Sequence, residues 1–402
     1  MIPRTAYLNQ LIAHRNQKII KVVTGVRRCG KSTLLSLYQD YLKNSGVTDE
    51  QIISINLEDM MYEELLNYKA LYRYVKDRLC ENQFTYVFID EVQNCESFEK
   101  AVDSLFIQEK VDLYITGSNA YMLSGELATL LSGRYITIDM LPLSFREYSQ
   151  AVSESEKTLP EKFNDYLHLG SFPHVALLER SVAMITPYME GIYNTILIKD
   201  VAQREGIRDV SVLESVIKTL ASGIGSPVSI KKIADTLSSG GRKISVNTVD
   251  NYVRALTDSF IFYRVDRYDI KGRQHLKTLG KYYIVDTGMR QILLSQGSPD
   301  IGHLIENVVY LELRRRGYRV NIGKLAQQEV DFVASGPEGR MYYQVAASVL
   351  DESTLRRELE PLEKIDDNYP KFLLTLDEIG SGSDHSGIRQ LNLLAWLLQI
   401  NR

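Results

Sequence analysis

Gly25-Val26-Arg27-Arg28-Cys29-Gly30-Lys31-Ser32 fills every position of the spacing GxxxxGK[ST]. Each fixed residue type has a chemical reason. Glycines let the backbone curl so that amide N–H groups point inward around a phosphate. A helix starting at this point adds its positive N-terminal end. Lys31 can reach terminal phosphates, and the Ser32 hydroxyl can take a place on Mg²⁺. Arg28, Cys29 and Thr33 share the segment and complete the candidate nucleotide contacts. Arg27 and Arg28 could meet phosphate, anchor the loop or stand in solvent. A thiol among cations, as at Cys29, also suits a redox sensor. A glycine turn can spell such a motif by chance, so a second signal is needed.

Tyr86-Val87-Phe88-Ile89-Asp90-Glu91 supplies it, as an apolar run ending in two carboxylates. Asp90 is placed to orient Mg²⁺ and Glu91 to activate a water. Carboxylates at a strand end are commonly solvated turn residues. Downstream of a phosphate-binding loop, the pair points to binding and hydrolysis of ATP with Mg²⁺. A third apolar run, Tyr114-Ile115-Thr116-Gly117-Ser118-Asn119, ends in small polar residues, and Leu131-Ser132-Gly133-Arg134 sets an arginine ahead of a further run.

Positioning these groups takes a scaffold of strands and helices. Apolar runs at Lys18–Gly25, Gln51–Leu57, Phe84–Asp90, Val111–Gly117 and Tyr135–Asp139 alternate with amphipathic stretches such as Ser32–Lys43 and Tyr62–Cys80. The alternation predicts an α/β fold with a parallel sheet covered on both faces. From Pro142 to about Gly206 the pattern is helical, with breaks expected at Pro160, Pro173 and Pro187. Val210–Gly223, Ser229–Leu237 and Ser245–Phe260 read as helices, and Phe262–Asp266 and Lys281–Val285 as strands. From about Asp300 the order reads helix, strand, strand, strand, helix, strand, helix.

A length of 402 residues suggests two or three domains. No run approaches the roughly 20 apolar residues of a membrane span, and no apolar signal core follows the N-terminus. The expected location is therefore the cytosol, with no membrane partner. Three cysteines without a CxxC pair, and six scattered histidines, argue against structural zinc or a disulfide framework. A net charge of -4 argues against a polycation that coats nucleic acid, while leaving room for a local basic patch.

The ordered set GVRRCGKST, FIDEVQ, TGSNA, LSGRY and LPLSFREY is followed by Leu169-Gly170-Ser171-Phe172-Pro173, Lys281-Tyr282-Tyr283-Ile284-Val285-Asp286-Thr287-Gly288 and Glu329-Val330-Asp331-Phe332. Together these resemble the prokaryotic AAA-type P-loop ATPases of the AAA_14/DUF4143 family, within the AAA+ superfamily, over nearly the full chain. The resemblance implies a P-loop ATPase core over 1–140, a helical lid or connector over 141–206, a winged-helix domain over 207–290 and a PD-(D/E)xK nuclease-like α/β domain over 291–402. It also implies a residue that senses the γ-phosphate, Asn119 in preference to Ser118, although an asparagine there also suits a helix cap. Finally, it implies that Arg134 reaches into a neighbouring copy's ATP site, in a homo-oligomer, where it offsets transition-state charge. A local ion pair is the other reading of Arg134.

The middle segment carries its own signal. Ser229–Leu237, a Ser-Gly-Gly turn and Ser245–Arg254 read as a helix-turn-helix, whose second helix exposes Asn247, Thr248, Asn251 and Arg254. Arg267, Lys271, Arg273, His275, Lys277 and Lys281 form a basic stretch suited to the phosphates of double-stranded DNA. Such units also serve as rigid protein-interaction domains. At the C-terminal end, Glu306 and Asp331 fit a nuclease-like metal site. Gln344 and Ala346 stand where its second carboxylate and its lysine belong, which disfavours cutting. The sequence thus predicts an ATP-binding and ATP-hydrolysing switch or remodeller, acting on DNA or on a protein partner. The alternative is a nucleotide-gated DNA-binding protein with incidental hydrolysis.

Overall fold

A computed structural model describes residues 2–120, 131, 133–178, 181–203, 206–207, 209–241, 244–294 and 300–399. Ser132 and the Lys277 side chain, both singled out from the sequence, lie outside the described residues. The chain forms two compact units, Met1–Leu141 with Asp258–Phe260, and Pro142–Thr257 with Ile261–Arg402.

In the first unit the chain runs α1 (Thr5–Ala13), β1 (Ile20–Thr24), α2 (Lys31–Asn44), β2 (Ile52–Asn56), α3 (Tyr68–Lys76), β3 (Thr85–Asp90), α4 (Phe98–Ile107), β4 (Val111–Gly117) and β5 (Tyr135–Asp139). The five apolar runs are the five strands. They pair in parallel throughout, in the order β2-β3-β4-β1-β5. Every residue of β1, β3 and β4 is buried, as unbroken apolar runs require in a sheet covered on both faces. The edge strands β2 and β5 expose part of their length. Leu71 and Val75 of α3 and Leu105 of α4 pack with Val87, Ile89, Leu113 and Ile115 in one core.

A buried ion pair joins two strands of this sheet. Lys21 of β1 pairs with Asp112 of β4, and both side chains are fully buried. Asp112 Oδ2 also accepts the Asn16 N–H at 2.8 Å and the Tyr114 hydroxyl at 2.8 Å, while Lys21 donates to the Gln17 carbonyl at 3.1 Å. Truncating the acid would strand a buried ammonium, which costs about 3–5 kcal/mol. Asp112→Ala should therefore lower the urea midpoint clearly. The double variant Lys21→Met/Asp112→Leu should recover most of the loss, because no unpaired charge then remains. Equal midpoints for wild type and Asp112→Ala would show that the pair contributes nothing.

The second unit begins with α5 (Phe145–Ala151), α6 (Leu159–Leu169) and α7 (Val182–Thr195), which continues as a wider π-helical segment over Ile196–Gln203. Pro160 lies in the first turn of α6, where its missing N–H costs nothing. Pro187 does not break the chain as expected. It sits inside α7, giving up the bond its N–H would have made to the carbonyl four residues earlier.

Next come α8 (Val210–Ser222), α9 (Ile230–Ser239), α10 (Val246–Asp258), β6 (Phe262–Asp269), β7 (Gln274–Ile284) and α11 (Thr287–Leu293), then α12 (Ile301–Arg315), β8 (Arg319–Leu325), β9 (Gln328–Gly336), β10 (Gly339–Ala346), α13 (Glu352–Glu363), β11 (Lys371–Thr375), β12 (Asp384–His385), β13 (Ile388–Asn392) and α14 (Leu393–Leu398). The hairpin β12–β13 is additional to the expected order, because Gly380, Gly382 and Gly387 give its surroundings the composition of a loop. The eight strands form one sheet, β12-β13-β11-β10-β9-β8-β6-β7, in which β6 pairs with β8 in parallel and with β7 antiparallel.

Two of the sequence motifs meet in this unit. The Ser171 N–H and hydroxyl each donate to Asp286 Oδ2 at 2.6 Å. A Cβ on Gly288 would stand 2.4 Å from the Gly170 nitrogen, so only glycine permits the approach. Asp286 also caps α11 through the Met289 N–H at 2.8 Å. These motifs therefore build a packing joint.

Candidate nucleotide site

The candidate site gathers at the C-terminal ends of the central strands β1, β3 and β4, where parallel sheets bind ligands. Gly25 leaves β1 with φ 149°, and a Cβ there would stand 2.1 Å from the Met140 carbonyl oxygen. No other residue fits this turn without moving the chain beyond β5. Lys31 opens α2. Its ammonium donates to the Gly25 carbonyl at 3.0 Å and the Val26 carbonyl at 3.4 Å, and lies 3.5 Å from Glu91 Oε1.

Asp90 ends β3; its carboxylate accepts from the Thr116 hydroxyl, and the Ser32 hydroxyl lies near enough to favour its charged form. Burial raises its carboxyl pKa, against the opposing effect of those two hydroxyls and Lys31. Ser32 and Asp90 are hard oxygen donors side by side, a set that fits Mg²⁺. Lys31, Asp90 and Glu91 are only 4%, 7% and 6% exposed. Their electrostatics are correspondingly strong.

Glu91 adopts a left-handed backbone, φ 51° and ψ 50°. Its N–H donates to Thr116 Oγ1 at 2.9 Å. Burial pushes its carboxyl up, but Lys31, then Gln93, Arg27 and Ser118, outweigh this and hold it below the usual glutamate value. Its carboxylate is therefore ionised at neutral pH, the state that can accept a proton.

Comparison with known proteins follows from this geometry. A family described as "AAA domain" matches residues 17–149, and one described as a domain of unknown function, DUF8612, matches residues 160–300. An uncharacterized protein of Haemophilus influenzae is 38% identical over 402 residues, covering 99% of each chain. An uncharacterized protein of Methanocaldococcus jannaschii is 31% identical over 368 residues, covering 86% of this chain and 78% of that one. The chain belongs to this family of AAA-domain proteins. Among solved structures, a Walker-type ATPase of Pyrococcus abyssi shares the fold with TM-score 0.50 and 15% identity, covering 73% of this chain and 96% of that one.

The AAA domain places the other sequence candidates as follows. Ser118 and Asn119 are both buried at the end of β4. Ser118 Oγ accepts from the Gln93 amide at 3.4 Å, which links it to Glu91. Arg27 pairs with Glu58 at 2.6 Å, while Arg28 and Thr33 are exposed. Cys29 is buried, and burial pushes its thiol up, opposite to what an activated thiolate needs. Arg134 is exposed, paired with Asp103 of α4, and its guanidinium stands 5.6 Å from the Phe106 ring centroid. An exposed pair of this kind holds by about 1 kcal/mol or less, so a stronger partner can displace it.

Three supporting residues of the AAA domain were given no role from the sequence, although Gln93 ends FIDEVQ and Thr116 opens TGSNA. Arg4, 2% exposed, donates to the Cys29 carbonyl at 2.8 Å and the Leu141 carbonyl at 2.6 Å, anchoring the loop. Thr116 bridges Asp90 and the Glu91 backbone. Gln93 donates to Glu91 Oε2. A polar residue inside an otherwise apolar strand was the available clue to Thr116.

In the second unit, Glu306 of α12 accepts from Lys281 of β7 at 3.0 Å and from the Tyr283 hydroxyl at 2.6 Å. Lys281 also meets Glu329 at 2.7 Å. The cation missing at Ala346 is thus supplied from another strand, and Lys281 is buried rather than part of an exposed basic stretch. Asp331 accepts the Val345 N–H at 2.9 Å, and burial, then the charge of Glu306, raises its carboxyl. Gln344 donates to Glu358 at 2.9 Å. Among the described residues no group of three or more His, Cys, Asp or Glu is arranged to hold a metal ion. No helix among them is long and apolar enough to cross a membrane.

Proposed function

We propose that this AAA-family protein hydrolyses ATP and uses the cycle as a switch or remodeller. The observation that carries the reading is the buried Lys31–Glu91 pair beside Asp90 and Ser32. Gly25, Arg28, Cys29, Gly30, Lys31, Ser32 and Thr33 surround the phosphates, backbone amides and the Lys31 ammonium making the contacts. Ser32 and Asp90 would hold Mg²⁺, which would neutralise phosphate charge there. Glu91 takes a proton from the attacking water. Ser118 or Asn119 senses the γ-phosphate, and Arg134 acts on the site of a second copy after leaving Asp103.

The segments after residue 141 are, in this reading, a helical connector, a winged helix and a nuclease-like domain that no longer cuts. Asn247, Asn251 and Arg254 are exposed on α10, which favours contact with double-stranded DNA. Steady-state ATP hydrolysis with and without duplex DNA tests both parts. Magnesium-dependent turnover that rises with DNA is the expected result. Turnover indifferent to DNA would move the search to a protein partner, and no turnover under either condition would leave only nucleotide-gated binding.

A further inference from the structure

We propose that Gln93 is a catalytic residue for ATP hydrolysis, its side-chain carbonyl Oε1 accepting a hydrogen bond from the water that attacks the γ-phosphorus. The inference rests on the reading of Glu91 as the base. Gln93 lies in the 3₁₀ turn Val92–Asn94, which starts from the left-handed backbone of Glu91. The turn is pinned by the Asn94 N–H on the Glu91 carbonyl at 3.1 Å and by the Asn94 amide on the Leu57 carbonyl at 3.3 Å. It folds the Gln93 side chain back over the site instead of away from it.

The two ends of the amide then have different surroundings. Nε2 donates to Glu91 Oε2 and, at 3.4 Å, to Ser118 Oγ. Oε1 is buried and accepts no hydrogen bond from any described residue. A buried acceptor left unmatched costs about 1–3 kcal/mol, so its place beside the base and the sensor candidate calls for a donor that arrives with the reaction. Water has two protons to place. One passes to the Glu91 carboxylate as the water oxygen bonds to the γ-phosphorus. The other stays on that oxygen and is donated to Gln93 Oε1. The bond from the γ-phosphorus to the β–γ bridging oxygen breaks, its electron pair leaving with ADP, and inorganic phosphate forms. Fixing both protons aligns the oxygen lone pair for in-line attack, the kind of positioning a glutamine gives in other P-loop enzymes.

The test compares wild type, Gln93→Leu, Gln93→Lys, Glu91→Gln and Gln93→Leu/Glu91→Gln in steady-state hydrolysis, with ATP binding measured by calorimetry. Gln93→Lys keeps a donor for Glu91 but has no acceptor. Both Gln93 variants should lose on the order of 10²-fold in kcat, with ATP affinity and KM unchanged. The double variant should be no slower than Glu91→Gln alone, because both groups act on one water. Wild-type kcat in Gln93→Leu, with Glu91→Gln inactive, overturns the proposal and spares the base assignment. Full activity in Gln93→Lys with loss in Gln93→Leu also overturns it, since Gln93 would then only steady Glu91. Normal turnover in Glu91→Gln overturns the reading on which both rest.

Discussion

Lys31→Ala should lose ATP binding by on the order of 10²–10³-fold, the loss expected when a buried charge partner of a phosphate is truncated. The lysine is 4% exposed and held by the loop's own carbonyls and Glu91, so its position is fixed before nucleotide arrives. A preformed, buried ammonium interacts with phosphate far more strongly than a solvated surface lysine would. The variant also leaves Glu91 without its main counter-charge. Calorimetric titration with ATP and magnesium measures the effect, and an unchanged Kd would remove the lysine from the site.

Glu91→Gln should bind ATP as wild type does while turnover falls by about 10²–10⁴-fold. Glutamine matches glutamate in size and keeps an acceptor for the Gln93 amide, so the loop stays in place. What it cannot do is take a proton. The folded carboxyl lies below its ordinary 4.5, because Lys31, Gln93, Arg27 and Ser118 outweigh the burial that would raise it. Its ion pair therefore stabilises the fold fully above that value, and the contribution fades only as acid protonates Glu91 through the lowered pKa. Across neutral pH the base stays ionised, so turnover there should show no acidic limb from this group. Single-turnover hydrolysis with pre-bound ATP separates the two effects. Rapid turnover in the variant would take Glu91 out of the reaction.

The residues of the candidate nucleotide site could be grouped from the sequence because its parts are local. The phosphate-binding loop, the run ending in Asp90 and Glu91, and the run ending in Ser118 are each contiguous in sequence. Parallel strands buried on both faces leave an unbroken apolar run that marks them plainly. Gln93, though within FIDEVQ, drew no role from the sequence because its return onto Glu91 depends on the left-handed turn there, which no spacing rule predicts. Arg4 escaped because its partners, Cys29 and Leu141, lie far along the chain. The same holds for Lys281. Reading one strand at a time shows an absent lysine at Ala346, while the sheet brings a cation to Glu306 from β7.

The pairing of β6 with β8 has an evolutionary consequence. Strand pairing here joins the segment on either side of residues 294–300, so the C-terminal strands cannot be inherited as a free-standing module. A chain starting at Asp300 would present β8 as a bare edge open to aggregation, and would leave Glu306 and Glu329 without their shared partner Lys281. A truncation or fusion point keeps the sheet intact only where it falls outside Phe262–Asn392.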